Sequence, residues 1–284
     1  MLRTSLALAL LATSLAVQAQ AIEGRLKKIA DSKTVKIAYR ADAMPFSYTD
    51  EKKEVTGFSI DLCKRVVNSL ARQLKLPELK IVWVPVTLQT RFDAVAKGQA
   101  DMECGSSTVT LGRMKQVDFS SFTFVETTGL LVKAASGLNS ITDLAGKRIA
   151  VIAGTTNERA INAQLKRRQL AATVILVKNS AEGVAALEGG KVDAFASDKL
   201  LLVGAGEKSR EPKSLQLLPD DLSFEPYAIA LPRGDAAMRL AVNTGLAQIY
   251  GGTEIGDIFN RWFSAFGPPT EAMMFVYYLG AIPE

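Results

Sequence analysis

The sequence contains no histidine among its 284 residues. This absence excludes Ser-His-Asp and Cys-His nucleophile systems and every metal site that needs a histidine ligand. Chemistry at a functional site of this chain must therefore come from arginine, lysine, carboxylate, hydroxyl or backbone groups. In other respects the composition, with 48 % hydrophobic and 22 % charged residues, is typical of a folded globular protein.

Cysteine is scarce as well, because Cys63 and Cys104 are the only two in the sequence. Two cysteines cannot build a disulfide scaffold or a four-cysteine zinc site. Cys63 lies in a predicted helix, and Cys104 lies at the end of a predicted strand. The sequence leaves a bond between them open, and we expect two buried thiols.

The sequence has one long hydrophobic run, from Leu6 to Val17 at the N terminus. It follows a basic residue, Arg3, and leads to the small-residue exit Ala19-Gln20-Ala21, which is the pattern of a secretory signal peptide. The run is shorter than the ~20 residues that a membrane-spanning helix needs. We therefore predict a signal peptide over residues 1–21 and an exported, soluble mature chain.

Charges of the two signs are nearly balanced, with 34 Lys and Arg against 29 Asp and Glu. The densest basic run, Lys166-Arg167-Arg168, falls at a predicted helix end, where cations complement the helix dipole. Basic patches interleaved with aromatic residues do not occur. The sequence therefore predicts no nucleic-acid partner.

Strands and helices alternate along the mature chain, and the chain length suggests about two domains. Such alternation is typical of an α/β architecture with mainly parallel sheets. The predicted strands cover residues 34–39, 79–86, 100–104 and 148–152, and the predicted helices cover residues 58–74 and 90–97.

One pattern occurs twice: a helix, a glycine, an aspartate, a short strand and a polar residue. It runs from Gly98 to Ser106 and again, at the same spacing, from Gly190 to Asp198. The repeat predicts two similar lobes, and ligands of open α/β sheets bind beyond the carboxyl ends of the strands. Facing lobes would bring a cation, hydroxyls, a helix start and a carboxylate into one cleft, which suits a small zwitterion. The residues at these strand ends are Arg40, Ser106–Thr108, Gly154–Thr156 and Asp198.

Several candidates also have an ordinary structural interpretation. Thr155 and Glu158 match a helix capping box, although the free amides of such a helix start also attract anions. Arg113 could clamp a carboxylate through two hydrogen bonds or form a surface ion pair. Arg91 falls in the first turn of a predicted helix, where a cation is unfavourable, so we expect it to have an anionic partner.

A set of short segments spread over residues 24–268 gives the chain a family resemblance. The segments are Tyr39-Arg40, Pro45–Tyr48, Gly57–Leu62, Gln89-Thr90-Arg91, Glu103–Thr108, Arg113–Ser120, Phe124-Val125, Gly154–Thr156 and Val192–Asp198. Together they resemble the amino-acid-binding proteins of bacterial ABC importers and are most similar to the glutamate/aspartate-binding members. The resemblance implies the α/β, two-lobed periplasmic binding protein fold (type II), with a two-strand hinge. Lobe 1 would comprise residues 22–127 and 226–284, and lobe 2 residues 128–225.

The resemblance implies a site for the α-carboxylate of an amino acid. Arg113 would pair with this carboxylate, and Thr108 would complete the site together with the amides of Thr155 and Thr156. No catalytic residue, metal site or cofactor is implied, so we predict none.

The remaining candidates would bind the ammonium group and the side chain of the ligand. The resemblance gives the α-ammonium to Asp198, helped by Ser106. It gives a side-chain carboxylate to Arg40 and Arg91, with Phe46 as an apolar wall. Three arginines and one aspartate sum to +2, whereas an acidic amino acid carries −1, so a neutral ligand would leave a buried cation unpaired at a high energetic cost.

The chain departs from the acidic-amino-acid binders at three positions. Leu88 replaces a serine and Ser180 replaces a histidine, so two polar contacts are missing. Asp42 adds a negative charge two residues after Arg40 and could pair with it. The choice between glutamate and aspartate therefore stays open, and there is room for a related diacid or for glutamine.

From these features we predict a monomeric periplasmic receptor that delivers an acidic L-amino acid to an inner-membrane ABC permease. One alternative is a periplasmic enzyme on the same fold, similar to cyclohexadienyl dehydratase. Its general acid would have to come from Glu103 or Glu126, and the sequence marks neither as perturbed. The other alternative is an amino-acid sensory module.

Overall fold

The computed structural model describes residues 23–283, so the predicted signal peptide over residues 1–21 lies outside the described residues. Within residues 23–283, no helix is long and apolar enough to span a bilayer. The helices are α1 Gly24–Ser32, α2 Phe58–Gln73, α3 Arg91–Ala96, α4 Thr156–Arg168, α5 Ser180–Glu188, α6 Lys199–Glu207, α7 Ala236–Gly251, α8 Glu254–Phe263 and α9 Glu271–Gly280. The strands are β1 Thr34–Arg40, β2 Asp42–Ala43, β3 Ser47–Thr49, β4 Val55–Thr56, β5 Lys80–Val86, β6 Met102–Glu103, β7 Asp118–Glu126, β8 Thr128–Lys133, β9 Arg148–Ile152, β10 Thr173–Val177, β11 Ala194–Asp198, β12 Leu215–Leu217 and β13 Glu225–Leu231.

Two five-stranded sheets form the centre of the fold, with strand orders β5-β1-β6-β13-β7 and β10-β9-β11-β8-β12. In each sheet one strand pairs in parallel on both sides: β1 with β5 and β6, and β9 with β10 and β11. The remaining pairs in both sheets are antiparallel. The two-lobed α/β fold is therefore confirmed, but the prediction of mainly parallel sheets is wrong. The antiparallel pairs of these two sheets all involve the strands near the chain crossings, β7, β8, β12 and β13.

The predicted repeat is confirmed by the topology, because β1-α2-β5-α3-β6 and β9-α4-β10-α5-β11 are built alike. Gly98 and Gly190 follow α3 and α5 with φ of 72° and 67°, a conformation that glycine adopts without strain. Asp101 and Asp193 each accept a hydrogen bond from a backbone amide of β1 or β9, at 2.7 and 2.8 Å. These contacts fix both helix ends against the strands that carry the site.

The chain passes from one sheet to the other at Thr127 and again over residues 218–224. Glu126 and Glu225 are paired across β7 and β13 at these crossings. The hydroxyl of Thr127 donates to the carbonyl of Ser223 at 2.8 Å, so the crossings lie side by side. The exact lobe boundaries, at 127/128 and 225/226, stay a prediction.

An aromatic cluster fills the core of lobe 1, with neighbouring ring centroids 4.9–6.3 Å apart. Its members are Phe46, Phe58, Phe124, Tyr227 and Phe263. The expectation that Phe46 forms a wall of the ligand cleft is wrong, because its ring is fully buried in this cluster. Its backbone explains the placement: the Phe46 carbonyl accepts a hydrogen bond from the Ser59 amide, in the first turn of α2.

Cys63 and Cys104 form a disulfide bond, so the expectation of two buried thiols is wrong. Cys63 lies on the buried face of α2, and Cys104 follows β6 in the same core. The sequence separation of 41 residues carries no information on this contact, which depends on how α2 packs against the sheet.

Candidate functional site

All eight predicted site residues line one cleft between the two sheets. They come from the ends of strands and the loops that follow them, as expected for ligand sites of open α/β sheets. The predicted residues in the lining are Arg40, Arg91, Ser106, Thr108, Arg113, Thr155, Thr156 and Asp198. The cleft is also lined by Asp42, Leu88, Ile152, Asn157, Ser180, Ser197 and Leu201.

The loop after β6 contributes Ser106 and Thr108 to the cleft. It is held from below by the hydroxyl of Ser59, which donates to the Gly105 carbonyl at 2.7 Å. Nη1 of Arg113 donates to the Thr108 carbonyl at 2.6 Å, which fixes the guanidinium beside the Thr108 hydroxyl. This loop therefore presents a cation and hydroxyls from lobe 1.

The N-terminus of α4 faces that loop from lobe 2, and the hydroxyls of Thr108 and Thr156 are 3.5 Å apart across the cleft. Thr155 caps the helix, because its hydroxyl accepts from the Glu158 amide at 3.1 Å. The expected capping box is only half formed. The Glu158 carboxylate accepts from the Gly154 amide instead of the Thr155 amide, one residue before the cap. A helix of 13 residues directs its positive dipole end into the cleft here.

Arg91 and Arg113 lie on the ring of Phe92, with the guanidinium carbons 4.5 and 5.2 Å from the ring centroid. Arg91 is only 3 % exposed, and its Nη1 donates to the Leu88 carbonyl at 2.7 Å. Burial lowers the pKa of Arg91 to about 9, and the Glu103 carboxylate opposes this shift. The helix position of Arg91 led us to expect an anionic partner, and Glu103 is an anionic group near it that acts through its charge, without a hydrogen bond to Arg91.

Arg40 ends β1 and is 4 % exposed. Its Nε forms an ion pair with Asp42 at 2.7 Å, as the spacing of the two residues suggested. The Asp42 side chain is half exposed, so solvent weakens its compensation of the arginine charge. The hydroxyl of Ser47 bonds both the amide and the carbonyl of Arg40, which fixes the backbone of this strand end.

Asp198 is the buried carboxylate of the cleft, at the end of β11. One oxygen accepts from the Asn157 amide group at 2.8 Å, and the other accepts from the Tyr227 hydroxyl at 2.6 Å. Burial raises the pKa of Asp198 to about 6, the nearby Glu225 adds to the rise, and the two hydrogen bonds oppose it. Because a cation would restore the charged form, Asp198 is suited to bind an ammonium group.

The sequence did not single out Asn157 or Tyr227. Asn157 follows the helix start of α4 directly, so the Gly154–Asn157 stretch could have suggested it. Tyr227 lies on β13 in the other lobe, and only the return of the chain to the first sheet brings its hydroxyl to Asp198.

The sequence marks neither Glu103 nor Glu126 as perturbed, but the structure shifts the pKa of both. Both are buried, and burial raises the pKa of Glu103 and brings that of Glu126 to about 8. The oxygens of Glu126 accept from the amides of Thr127 and Leu200, at 2.8 and 3.1 Å. Glu126 faces a separate pocket at the hinge, with Phe224 among its lining residues, and neither glutamate lines the cleft.

Known proteins resemble this chain in sequence and in fold. The L-glutamate/L-aspartate-binding protein of Pseudomonas aeruginosa is 36 % identical over 95 % of this chain and 89 % of its own length. The glutamate/aspartate import solute-binding protein of Salmonella typhimurium is 31 % identical over 90 % of this chain and 85 % of its own. An ancestral amino-acid-binding protein, a precursor of cyclohexadienyl dehydratase, matches in structure with a TM-score of 0.73 and 27 % identity, over 84 % of this chain and 100 % of that chain. The profile of one family matches residues 35–265, and the chain belongs to that family, the bacterial extracellular solute-binding proteins, family 3.

Proposed function

We propose that this protein binds an acidic L-amino acid in the cleft between its lobes and delivers it to an inner-membrane ABC permease. The observation that carries the proposal is the charge of the cleft. Three guanidinium groups, those of Arg40, Arg91 and Arg113, line it opposite one buried carboxylate, that of Asp198.

The main-chain end of the ligand would bind where the two lobes approach each other. Its carboxylate would lie between Arg113, the Thr108 hydroxyl and the start of α4. Its ammonium would pair with Asp198, whose hydrogen bonds from Asn157 and Tyr227 hold the carboxylate in place. Both halves of this site contain a charge of the required sign.

The side-chain carboxylate of the ligand would face Arg40 and Arg91. The charge of Arg40 is partly compensated by the half-exposed Asp42, and that of Arg91 by the buried Glu103 nearby. A neutral side chain would leave this buried positive charge without a partner in the cleft. The named relatives from Pseudomonas aeruginosa and Salmonella typhimurium support an acidic ligand.

Delivery from the periplasm by a monomer is part of the proposal. The two adjacent crossings at Thr127 and residues 218–224 would act as a hinge, so that the lobes open and close around the ligand. The N-terminal signal pattern and the family support an exported location.

An enzymatic function is the competing proposal, because a structural neighbour is the ancestor of a dehydratase. A dehydratase would need a general acid in the cleft. Of the described carboxylates in the cleft lining, Asp42 is paired with Arg40, and Asp198 accepts two hydrogen bonds. We therefore propose a binding protein without catalytic residues, and release of phenylpyruvate from prephenate by the purified protein would contradict this.

Calorimetric titration of ligand-stripped protein with L-glutamate and L-aspartate tests the proposed side-chain site. Arg40→Ala and Arg91→Ala should each weaken binding of the acidic ligands. Arg168→Ala is a matched control, because that exposed arginine lies at the far end of α4. Unchanged affinity in both cleft variants would overturn the assignment of the side-chain carboxylate.

A further inference from the structure

Glu103 is a buried carboxylate directly beneath the cleft. It lies on β6 between β1 and β13, opposite Ala38 and Ala230, and it has no exposed surface. Neither of its carboxylate oxygens has a hydrogen-bond partner within the part of the chain that the structure describes. A β-carbon on Gly105 would collide with Oε1 of Glu103 and lie 3.6 Å from Cγ of Arg40, which places the carboxylate under the loop that carries Ser106.

The charged groups that act on Glu103 are the arginines of the cleft. Burial raises its pKa, whereas Arg91, followed by Arg40 and Arg113, lowers it. The Ser107 hydroxyl also favours the charged form, although its geometry in the described structure does not make a hydrogen bond. Nε of Arg91 is likewise buried without a hydrogen-bond partner among residues 23–283, so Glu103 and Arg91 compensate each other by proximity of charge.

This arrangement makes Glu103 and an acidic ligand competitors for the same positive charge. A ligand carboxylate beside Arg40 and Arg91 would repel the carboxylate of Glu103 across a poorly solvated region. The three arginines and the ionised carboxylates of Asp42, Asp198 and Glu103 sum to zero, so an acidic amino acid would leave a net charge of −1, and one proton on Glu103 would restore neutrality. With an acidic ligand bound, Glu103 is therefore more stable in its protonated form. A ligand with a neutral side chain does not repel the Glu103 carboxylate in this way.

We propose that Glu103 is a specificity-determining residue that takes up one proton from solvent when an acidic amino acid binds. When Glu103 is protonated, the full charge of Arg91 can attract the side-chain carboxylate of the ligand. When Glu103 is ionised, it compensates Arg91 and so favours a ligand with a neutral side chain. This inference rests on the proposed function, because it concerns the subsite for the side-chain carboxylate. Glu103 would act through Arg91 and would not touch the ligand.

Proton counting by calorimetry tests the proposal directly. L-glutamate is titrated into wild type and Glu103→Gln between pH 5.5 and 8.5, each in two buffers of different ionisation enthalpy. The wild type should take up more protons than the variant, approaching one, and its affinity should fall with rising pH by up to about tenfold per unit relative to the variant. Asp198 and Glu126 also titrate in this range, but both are present in the two proteins, so their contributions cancel.

L-glutamine is the matched ligand, because it has the same main-chain groups and an uncharged side chain. Wild type and Glu103→Gln should give the same proton count with glutamine where it binds. Equal counts with glutamate as well would overturn the inference and leave the proposed function standing. Failure of the wild type to bind any acidic amino acid would instead overturn the proposed function.

A measurement on the wild type alone covers the case in which Glu103→Gln does not fold. Infrared difference spectra should show the carbonyl band of a protonated carboxylic acid appearing when glutamate is added near the pH of maximal proton uptake. Such a band should not appear with glutamine. Absence of the band with bound glutamate over the whole pH range would contradict proton uptake by a buried carboxylate.

Discussion

Single residues of the cleft are held in place by contacts outside it. Arg113 donates to the Thr108 carbonyl and lies over Phe92, and Asp198 is fixed by Asn157 and Tyr227. These contacts restrict the side chains before a ligand arrives, which reduces the entropy lost on binding.

Arg113→Ala tests the α-carboxylate site. Removing one partner of a buried, hydrogen-bonded charge pair costs about 2–5 kcal/mol, or roughly thirty-fold to a few thousand-fold in affinity. All amino-acid ligands should lose affinity by a similar factor, because the α-carboxylate is common to them. Titration of the variant beside Arg168→Ala measures the effect, and a loss confined to acidic ligands would place Arg113 at the side-chain end.

Tyr227→Phe tests the link between hydrogen bonding and charge at Asp198. The Tyr227 hydroxyl lowers the pKa of Asp198, which burial raises to about 6, so the variant should have a higher pKa at this group. An ammonium ligand needs the ionised carboxylate. A rise of about one unit would therefore weaken binding about fivefold at pH 6 and very little at pH 8.

Affinities of Tyr227→Phe and wild type at both pH values, expressed as ratios, measure this effect. Tyr39→Phe is the matched control, because the Tyr39 ring packs against Trp83 and does not line the cleft. The same ratio at pH 6 and pH 8 would show that Tyr227 does not act through the charge of Asp198.

At the scale of elements, β7 and β13 bring two buried glutamates together at the hinge. Glu126 and Glu225 face each other across the strand pair, and the Ser223 hydroxyl donates to Glu225 at 2.8 Å. Burial and the nearby Asp198 raise the pKa of Glu126 to about 8. An ionised carboxylate therefore opposes folding at this position.

Glu126→Gln tests the consequence for stability. The folded protein binds a proton at Glu126 up to about pH 8, whereas the unfolded chain releases it near its ordinary pKa. The free energy of unfolding of ligand-free wild type should thus fall as pH rises from 6 to 8, by up to about 1.4 kcal/mol per unit from this group. Urea unfolding at several pH values should give a shallower dependence for the variant, and identical slopes would contradict the assignment.

The disulfide joins α2 to the end of β6, and replacing both Cys63 and Cys104 by alanine tests its contribution. Closing a loop of 41 residues stabilises a fold by about 4 kcal/mol in the chain-entropy model. The double variant should unfold at a lower urea concentration than the oxidised wild type and should match the reduced wild type. Equal stability of variant and oxidised protein would show that the bond adds nothing.

At the scale of the whole molecule, strand ends were predictable from the sequence, and contacts across the fold were not. Arg40 and Asp198 end the strands β1 and β11, and Thr155 follows β9, so the parallel pairing places each of them at the carboxyl edge of its own sheet. Glu103 was considered only as a possible general acid, because a charged residue in a two-residue strand carries no periodic signal of burial. The disulfide and the burial of Phe46 were predicted wrongly, since both depend on packing between distant segments.

The central claim is that the cleft selects an acidic amino acid, and titration of ligand-stripped wild type with an amino-acid panel tests it most directly. The panel is L-glutamate, L-aspartate, L-glutamine, L-asparagine and L-arginine, measured by calorimetry at one pH and salt concentration. We predict that glutamate or aspartate binds more tightly than its own amide, and that arginine does not compete. Tighter binding of an amide or of arginine, or no binding of any amino acid, would contradict the account.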